Sequence, residues 1–163
     1  MIRELREADY DTVIRIVNEN WKQQYGGYVN PQLLNEEGCQ KRARRMKQDF
    51  SLHRLSEYVW DEEGRVLGLL SFGPSADEDK TDAFEIWRVY IDPDAQGRGI
   101  GRNLLAFGEK MATAQGYREI VIWAFRENKR AVFFYQKHGY EPDKEEFLMD
   151  PYQAWGIRMT KRI

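Results

Sequence analysis

Hydrophobic and polar positions follow two different periods along the chain, and the changes of period predict the order of its elements. Residues Ile2 to Arg6 alternate with the period of two that is typical of a strand. From Asp9 the period becomes helical, with an apolar stripe made of Tyr10, Val13, Ile14, Val17 and Trp21. A second helical stripe consists of Cys39, Ala43, Met46 and Phe50. The chain is therefore predicted to begin with a short strand and two amphipathic helices.

The middle of the chain returns to strand-like patterns. Ser56 to Asp61 and Val66 to Phe72 are rich in strand-forming residues, and the segment between them carries Gly64, which predicts a β-hairpin. Pro74 to Asp82 is charged and is predicted to be a loop. A further strand is expected to begin at Glu85.

The second half of the chain predicts two more helices, each placed between strands. A glycine-rich segment follows the strand at Glu85 and leads into a helix that ends at Gln115, with Gly116 in the position of a C-cap. Glu119 to Phe125 is an apolar strand, and Asn128 is a suitable N-cap for the next helix. Two strands close the chain. The order β-α-α-β-β-β-α-β-α-β-β predicts a single α+β domain over residues 1–163, with a mixed, mostly antiparallel central sheet flanked by helices. One parallel βαβ step is expected around the glycine-rich segment.

Composition narrows the classes of partner and cofactor. The 163 residues carry 25 basic and 27 acidic side chains, so no global excess of positive charge favours nucleic acid. The single cysteine, Cys39, excludes an intrachain disulfide, and two isolated histidines make a metal site unexpected. No apolar run reaches the ~20 residues of a membrane span, and no secretory leader is recognisable. A cytoplasmic protein without a metal or membrane partner is therefore expected.

The second predicted helix carries a run of basic side chains between Lys41 and Lys47. Such a run could bind an anionic partner such as nucleic acid. Glu36, Glu37 and Asp49 flank it, however, which favours a solvated helix face.

The segment between the strand at Glu85 and the following helix carries the most distinctive chemistry. The strand stops at Asp92-Pro93, and glycines follow at positions 97, 99 and 101. The order strand, glycine-rich loop, helix presents free backbone N–H groups at a positive helix N-terminus, which suits a pyrophosphate. A Walker loop is excluded because Arg102 and Asn103 follow the last glycine, where lysine and serine or threonine are required. The Gly-x-Gly-x-x-Gly spacing of dinucleotide-binding loops is not met from either starting glycine.

Two motifs resemble signatures of the GNAT superfamily of N-acetyltransferases. The first is the acetyl-CoA loop, matched in full by Gln96, Gly97, Arg98, Gly99, Ile100 and Gly101. The second is Asn-x-x-Ala-x-x-Phe-Tyr-x-x-x-Gly-Phe, matched by Asn128, Ala131, Phe134, Tyr135 and Gly139, with Tyr140 in place of the final phenylalanine. Both motifs in the expected order are far more specific than either alone.

The resemblance implies that the chain transfers an acetyl group from acetyl-CoA to a primary amine, by direct attack in a ternary complex. It implies that backbone groups of Val89, Tyr90 and Ile91 hold the pantetheine arm, and that the amides of Arg98 to Gly101 hold the diphosphate, with Gln96 and Gly97 in the same loop. Arg98 or Arg102 would add charge-assisted hydrogen bonds. Asn128 would contact the pantetheine arm. A non-catalytic acetyl-CoA-binding regulatory module is the alternative function.

The same resemblance implies catalytic roles for two residues. An amine with a pKa of about 10 is protonated at neutral pH and needs a base before it can attack a thioester. Glu85 occupies the place where several family members carry an acidic base, although a strand-start glutamate in solvent or in a salt bridge is an equal alternative. Tyr135 is the expected acid for the leaving thiolate, with packing in the core as its alternative. Strand parity would put Glu85, Trp87, Val89 and Ile91 on one face unless a bulge intervenes.

The acceptor amine is the least defined part of the prediction. In the family the acceptor contacts the first two helices and the late strands, where this chain has Trp21, Tyr25 and Tyr28 as candidate contacts. Acidic residues between Asp77 and Asp82 could attract a cationic amine. Simple packing of the aromatic residues and solvation of the acids are the favoured alternatives for both sets. The aromatic-rich C-terminal strands make a homodimer plausible.

Overall fold

The computed structural model describes residues 1–163 and contains the predicted elements in the predicted order. The strands are β1 (Ile2–Glu4), β2 (Ser56–Glu62), β3 (Arg65–Pro74), β4 (Phe84–Ile91), β5 (Glu119–Phe125), β6 (Glu141–Leu148) and β7 (Ala154–Arg162). The α-helices are α1 (Tyr10–Gln24), α2 (Glu36–Ser51), α3 (Ile100–Ala114) and α4 (Lys129–Lys137). None of these helices is both long enough and apolar enough to cross a bilayer.

The seven strands form one sheet in the order β1-β2-β3-β4-β5-β7-β6. Every neighbouring pair is antiparallel except β4 and β5, which are parallel and are joined through α3. The predicted α+β class, with one parallel step at the glycine loop, is thus confirmed. The switch between antiparallel and parallel pairing lies at the centre of the sheet.

Helices cover both faces of the sheet, and each face has its own core. On one face α3 and α4 contribute Leu104, Leu105 and Tyr135 to a cluster of 16 buried residues. On the other face α1 and α2 contribute Val13, Val17, Met46 and Phe50 to a cluster of 8. Removal of one such side chain, as in Leu104→Ala, costs about 2–5 kcal/mol of folding free energy. The sheet is thereby fixed between two packed layers, and the site residues on β4 and β5 are fixed with it.

A β-bulge at Trp87 changes which side chains of β4 share a face. Ser71 pairs with Arg88 and Phe72 pairs with Ile86, so Trp87 is an extra residue without a partner in β3. Ile86, Val89 and Ile91 consequently all contact the core on the α3 side. The alternation that would place Glu85 with Val89 and Ile91 is therefore wrong, because the bulge shifts the parity by one residue.

Beyond the bulge, β4 and β5 diverge. Pairing between them is limited to Phe84 with Ile120, Glu85 with Val121 and Ile86 with Ile122. β4 continues to Ile91 and β5 to Phe125 without further pairing to each other. The edge of β4 that faces β5 therefore keeps unpaired backbone groups in the middle of the sheet.

Candidate active site

A cleft of about 750 Å³ opens where β4 and β5 diverge. Its walls come from the second half of β4, the segment between Ala95 and Arg102, the end of β5 and one face of α4. This place is the carboxyl end of the only parallel strand pair, where ligands of open α/β sheets commonly bind. The cleft brings together most of the residues that the two motifs singled out.

The glycine loop forms one end of the cleft and offers an unoccupied set of donors. Gly97 and Gly99 have φ of 80° and 82°, a conformation that glycine adopts without strain. α3 begins directly afterwards, at Ile100, with Gly99 as its N-cap. The backbone N–H groups of Gly97 through Arg102 donate to no protein atom. Their number and the helix dipole make the loop a suitable site for a diphosphate.

Side chains from α1 hold this loop in place. Asn20 donates from Nδ2 to the carbonyl of Ile91 at 2.8 Å, and Gln96 donates from Nε2 to Oδ1 of Asn20 at 3.1 Å. Arg15 donates to the carboxylate of Asp92 at 3.0 Å, just before the loop. Gln96 lines the cleft, but its amide nitrogen anchors the loop to α1.

The two predicted arginines of the loop have different surroundings. Arg102 lines the cleft. Arg98 instead donates to both carboxylate oxygens of Glu62, each at 2.8 Å, at the exposed end of β2. The Arg98 guanidinium therefore already has an anionic partner. The predicted contribution of Arg98 to the diphosphate site is then made by its backbone N–H.

Asn128 both caps α4 and lines the cleft. Its side-chain oxygen accepts from the N–H of Ala131 at 3.3 Å, which accounts for the start of the helix. Its place in the cleft wall agrees with the predicted contact to a pantetheine arm. One residue thus serves the helix start and lies at the predicted ligand site.

Tyr135 projects from α4 into the cleft wall and is 8% exposed. Burial raises the pKa of its phenol, and the neighbouring Tyr90 raises it further. The hydroxyl therefore carries its proton at neutral pH. The sequence left core packing and an acid role open for Tyr135, and its position at the boundary of core and cleft accommodates both.

Glu85 lies deeper than the sequence indicated, at 3% exposure, and its side chain is not part of the cleft wall. Burial raises the pKa of its carboxyl to about 7, against an ordinary value of 4.5. Ser75 donates from Oγ to this carboxylate at 2.9 Å. A solvated strand-start glutamate, one of the two alternatives, is therefore wrong, because the side chain is enclosed.

Of the three candidate acceptor contacts, only Tyr25 lines the cleft. Its hydroxyl lies 3.3 Å from that of Tyr90. Trp21 is packed against the guanidinium of Arg42 at 3.8 Å, and Tyr28 donates to the carbonyl of Gln24 at 2.9 Å. All three aromatic rings contact Phe125 at the end of β5. Packing thus accounts for Trp21 and Tyr28, while Tyr25 stays a candidate.

Two acidic residues of the loop after β3, Asp77 and Asp79, form ion pairs in addition to any contact with solvent. Arg158 of β7, whose side chain is 3% exposed, donates to both of these carboxylates and to Asp143. These ion pairs hold the pKa of the Asp79 carboxyl at about 2. The loop is therefore tied to the late strands of the sheet.

Sequence reasoning missed several residues that line the cleft, among them Asn20, Trp123 and Phe125. Trp123 and Phe125 belong to the apolar run of β5 and lie at the carboxyl end of this strand, which is parallel to β4. The topological rule for ligand sites could have indicated them once the parallel pair was predicted. Asn20 had no local indication, because its partner Ile91 lies 71 residues away in the sequence.

Comparison with known proteins agrees with this geometry. Residues 13–140 match the sequence profile of the acetyltransferase (GNAT) family. The chain is 26% identical to the uncharacterized N-acetyltransferase YuaI of Bacillus subtilis, over 98% of this chain and 88% of the relative. It is 24% identical to spermidine N(1)-acetyltransferase of Thermoplasma acidophilum, over 91% of this chain and 94% of that protein.

A solved structure shares the fold over its whole length. The PaiA N-acetyltransferase of Thermoplasma acidophilum, in complex with coenzyme A, superposes with a TM-score of 0.73 at 22% identity, covering 100% of this chain and 98% of the other. The family match spans more than half of the chain and includes both motifs of the cleft. The protein therefore belongs to the GNAT superfamily of acetyl-CoA-dependent N-acetyltransferases.

Proposed function

We propose that this protein transfers an acetyl group from acetyl-CoA to a primary amine by direct attack within the cleft, with Glu85 as the base and Tyr135 as the acid. The observation that carries the proposal is the arrangement of the cleft. An unpaired strand edge, a loop of free N–H groups and a protonated phenol line one cavity, and a buried carboxyl lies on the strand that forms its wall.

The proposal is supported by the hydrogen-bond donors that the cleft offers to acetyl-CoA. The N–H groups of the loop from Gly97 to Arg102 would hold the diphosphate, with Arg102 adding a positive charge. The unpaired edge of β4 at Val89 to Ile91 would bond the amides of the pantetheine arm as a strand would. Asn128 would bond the same arm from α4. When bound, acetyl-CoA supplies the activated acetyl thioester.

Tyr135 would protonate the thiolate as it leaves. Its phenol holds its proton at neutral pH, and general acids of this kind contribute about 10²–10⁴-fold to rate.

Glu85 would take the proton from the attacking amine. A carboxylate with a pKa near 7 is a far stronger base than one at 4.5, and it is still ionised in a large fraction of molecules at neutral pH. Since Glu85 lies behind the cleft wall, we propose that the proton reaches it through water. The backbone N–H groups of β4 would stabilise negative charge on the acetyl oxygen.

The acceptor is proposed to be a cationic amine that enters beside Tyr25, Trp87 and Phe125. Trp87 is 41% exposed on the bulge and lines the cleft, as do the other two rings. Aromatic faces attract cations. A primary amine is a cation at neutral pH, so it reaches the cleft in its protonated form and loses the proton there. The Thermoplasma relative named as a spermidine N(1)-acetyltransferase supports the inclusion of polyamines among the candidates.

An amine panel tests the proposal. The protein is incubated with acetyl-CoA and one amine at a time, drawn from polyamines, amino acids, aminoglycosides and peptides, and free thiol is measured. Thiol release that depends on one class of amine is the expected result. Tight binding of acetyl-CoA in calorimetry without transfer to any amine would instead support the alternative, a non-catalytic acetyl-CoA-binding regulatory module.

A further inference from the structure

The β3–β4 connection carries a chain of polar contacts that leads from the cleft wall to Glu85. Trp123, which lines the cleft, donates from Nε1 to Oδ2 of Asp77 at 2.8 Å. The N–H of Asp77 donates to Oγ of Ser75 at 3.2 Å, and Ser75 donates to the Glu85 carboxylate at 2.9 Å. Four residues are thus connected, with the step from Asp77 to Ser75 made by the backbone N–H of Asp77, and the two ends of the chain are a wall residue and the proposed base.

Arg158 holds this connection against the sheet from behind. It donates to Asp77 at 3.1 Å and forms bidentate hydrogen bonds with the carboxylates of Asp79 and Asp143. The side chain of Arg158 is itself 3% exposed. A guanidinium with three carboxylates at this depth restrains all of them, because each would lose a charged partner on moving away. Asp77 therefore has a fixed place relative to Glu85.

We propose that the β3–β4 connection positions the base: Ser75 directs the Glu85 carboxylate, Asp77 orients Ser75 through its N–H and adds a like charge near Glu85, and Arg158 holds Asp77 in place. The proposal rests on the proposed function in that Glu85 is its base. Ser75 and Asp77 are positioning residues, since neither lines the cleft.

The charges around Glu85 determine the direction of each effect. Asp77 is a like charge and raises the pKa of the Glu85 carboxyl, whereas Arg158 on β7 lowers it. The hydroxyl of Ser75 and the N–H of Ala76 also lower it by bonding the ionised form. The facing residue of β5, Val121, is apolar. Removal of the Asp77 charge should therefore lower the pKa of Glu85, and removal of the Ser75 hydroxyl should raise it.

Two substitutions with opposite expected signs test the proposal in the full-length protein without ligand. The Glu85 carboxyl carbon is followed by NMR through a pH titration. Asp77→Asn, which keeps an acceptor for Trp123, should lower the titration midpoint on the order of one unit, and Ser75→Ala should raise it. Asp79→Asn is the matched control. It removes a second carboxylate from Arg158 but contacts neither Trp123 nor Ser75, so it should leave the midpoint unchanged.

The pH dependence of turnover provides the second readout. The acidic limb of kcat/KM should move to lower pH in Asp77→Asn and to higher pH in Ser75→Ala, in step with the NMR midpoints. Shifts of one sign in both variants, or none, would overturn the proposal, since a purely structural role predicts no opposed shifts. If no amine is acetylated, the proposed function fails, and the NMR titration still decides whether Ser75 and Asp77 control Glu85.

Discussion

At the scale of single residues, the local environment changes ordinary side chains into reactive ones. The sequence singled out Glu85 and Tyr135 by their places in two motifs, but a motif contains no information on burial. In the structure Glu85 is enclosed and its carboxyl has a pKa of about 7. The same physical cause raises the pKa of the Tyr135 phenol. Burial depends on contacts with distant elements, which is why the sequence could name these residues and could not assign their pKa values.

Tyr135→Phe should lower kcat by about 100-fold while the affinity for acetyl-CoA changes little, because only the acidic hydroxyl is lost. Steady-state kinetics and calorimetry measure the two effects. Tyr140→Phe is the matched control. Its hydroxyl donates to Glu109 of α3, and neither residue lines the cleft, so this variant should lose about 1 kcal/mol of stability and keep its kcat. An unchanged kcat in Tyr135→Phe would remove Tyr135 as the acid.

The rate should fall as the pH is lowered through about 7, because the base must be ionised and the pKa of Glu85 is about 7. Glu85→Gln should abolish this acidic limb along with most of the turnover. Glu57→Gln is the control, since Glu57 also has a pKa of about 7 but lies on β2 and does not line the cleft. If Glu57→Gln removed the limb and Glu85→Gln did not, the base would have been misassigned.

At the scale of elements, the glycine loop combines a backbone conformation with a ligand site. A Cβ at Gly99 would meet no protein atom within 4 Å, so the space beside it belongs to the cleft. Gly64, in the turn between β2 and β3, has a similar φ of 88° and equally free surroundings. Both glycines therefore adopt a positive φ, but only Gly99 lines the cleft.

Gly99→Val should abolish acetyl-CoA binding, whereas Gly64→Val should leave it intact. Both variants should lose comparable stability, on the order of 1–2 kcal/mol, because both force a β-branched residue into the left-handed region. Calorimetry with acetyl-CoA and urea unfolding separate the two effects. Equal affinities in the two variants would contradict the assignment of the loop to the diphosphate.

The order of the elements followed from periodicity, yet features that depend on neighbours in space did not. The bulge at Trp87 reverses the faces of the residues that follow it on β4, and no local pattern specified its position. The partners of charged side chains could not be predicted from the sequence either. Arg98 pairs with Glu62, 36 residues away, and Arg158 pairs with Asp77, 81 residues away. Each partner was set by strand order in the sheet, which an isolated segment does not contain.

At the scale of the whole molecule, two enclosed carboxyls act on the pH dependence of stability. Glu57 and Glu85 have pKa values of about 7 in the folded state, against an ordinary value of 4.5. Between these pH values the folded protein holds protons that the unfolded chain has released. The contribution of both groups to the free energy of unfolding therefore falls as the pH rises. The carboxyls of Asp9, Asp61, Glu62 and Asp79 have lowered pKa values and act below this window, where their stabilisation is lost on acidification.

When the pH is raised from 5 to 7, the free energy of unfolding should therefore fall less in the double variant Glu57→Gln, Glu85→Gln than in the wild type. Urea unfolding at several pH values gives the two slopes directly. A wild type and a double variant with identical slopes would contradict the enclosure of these carboxyls. Asp82→Asn, whose side chain lies on the exposed loop after β3, is a control for the loss of negative charge alone.

The measurement that most directly tests the central claim is the mass of the product formed from isotope-labelled acetyl-CoA and the amine that gives the fastest thiol release. Acetyl transfer in the cleft predicts that the amine gains one labelled acetyl group per thiol released, and that Tyr135→Phe slows both together. Thiol release without a labelled amine would contradict the account, because hydrolysis of acetyl-CoA would then explain the activity.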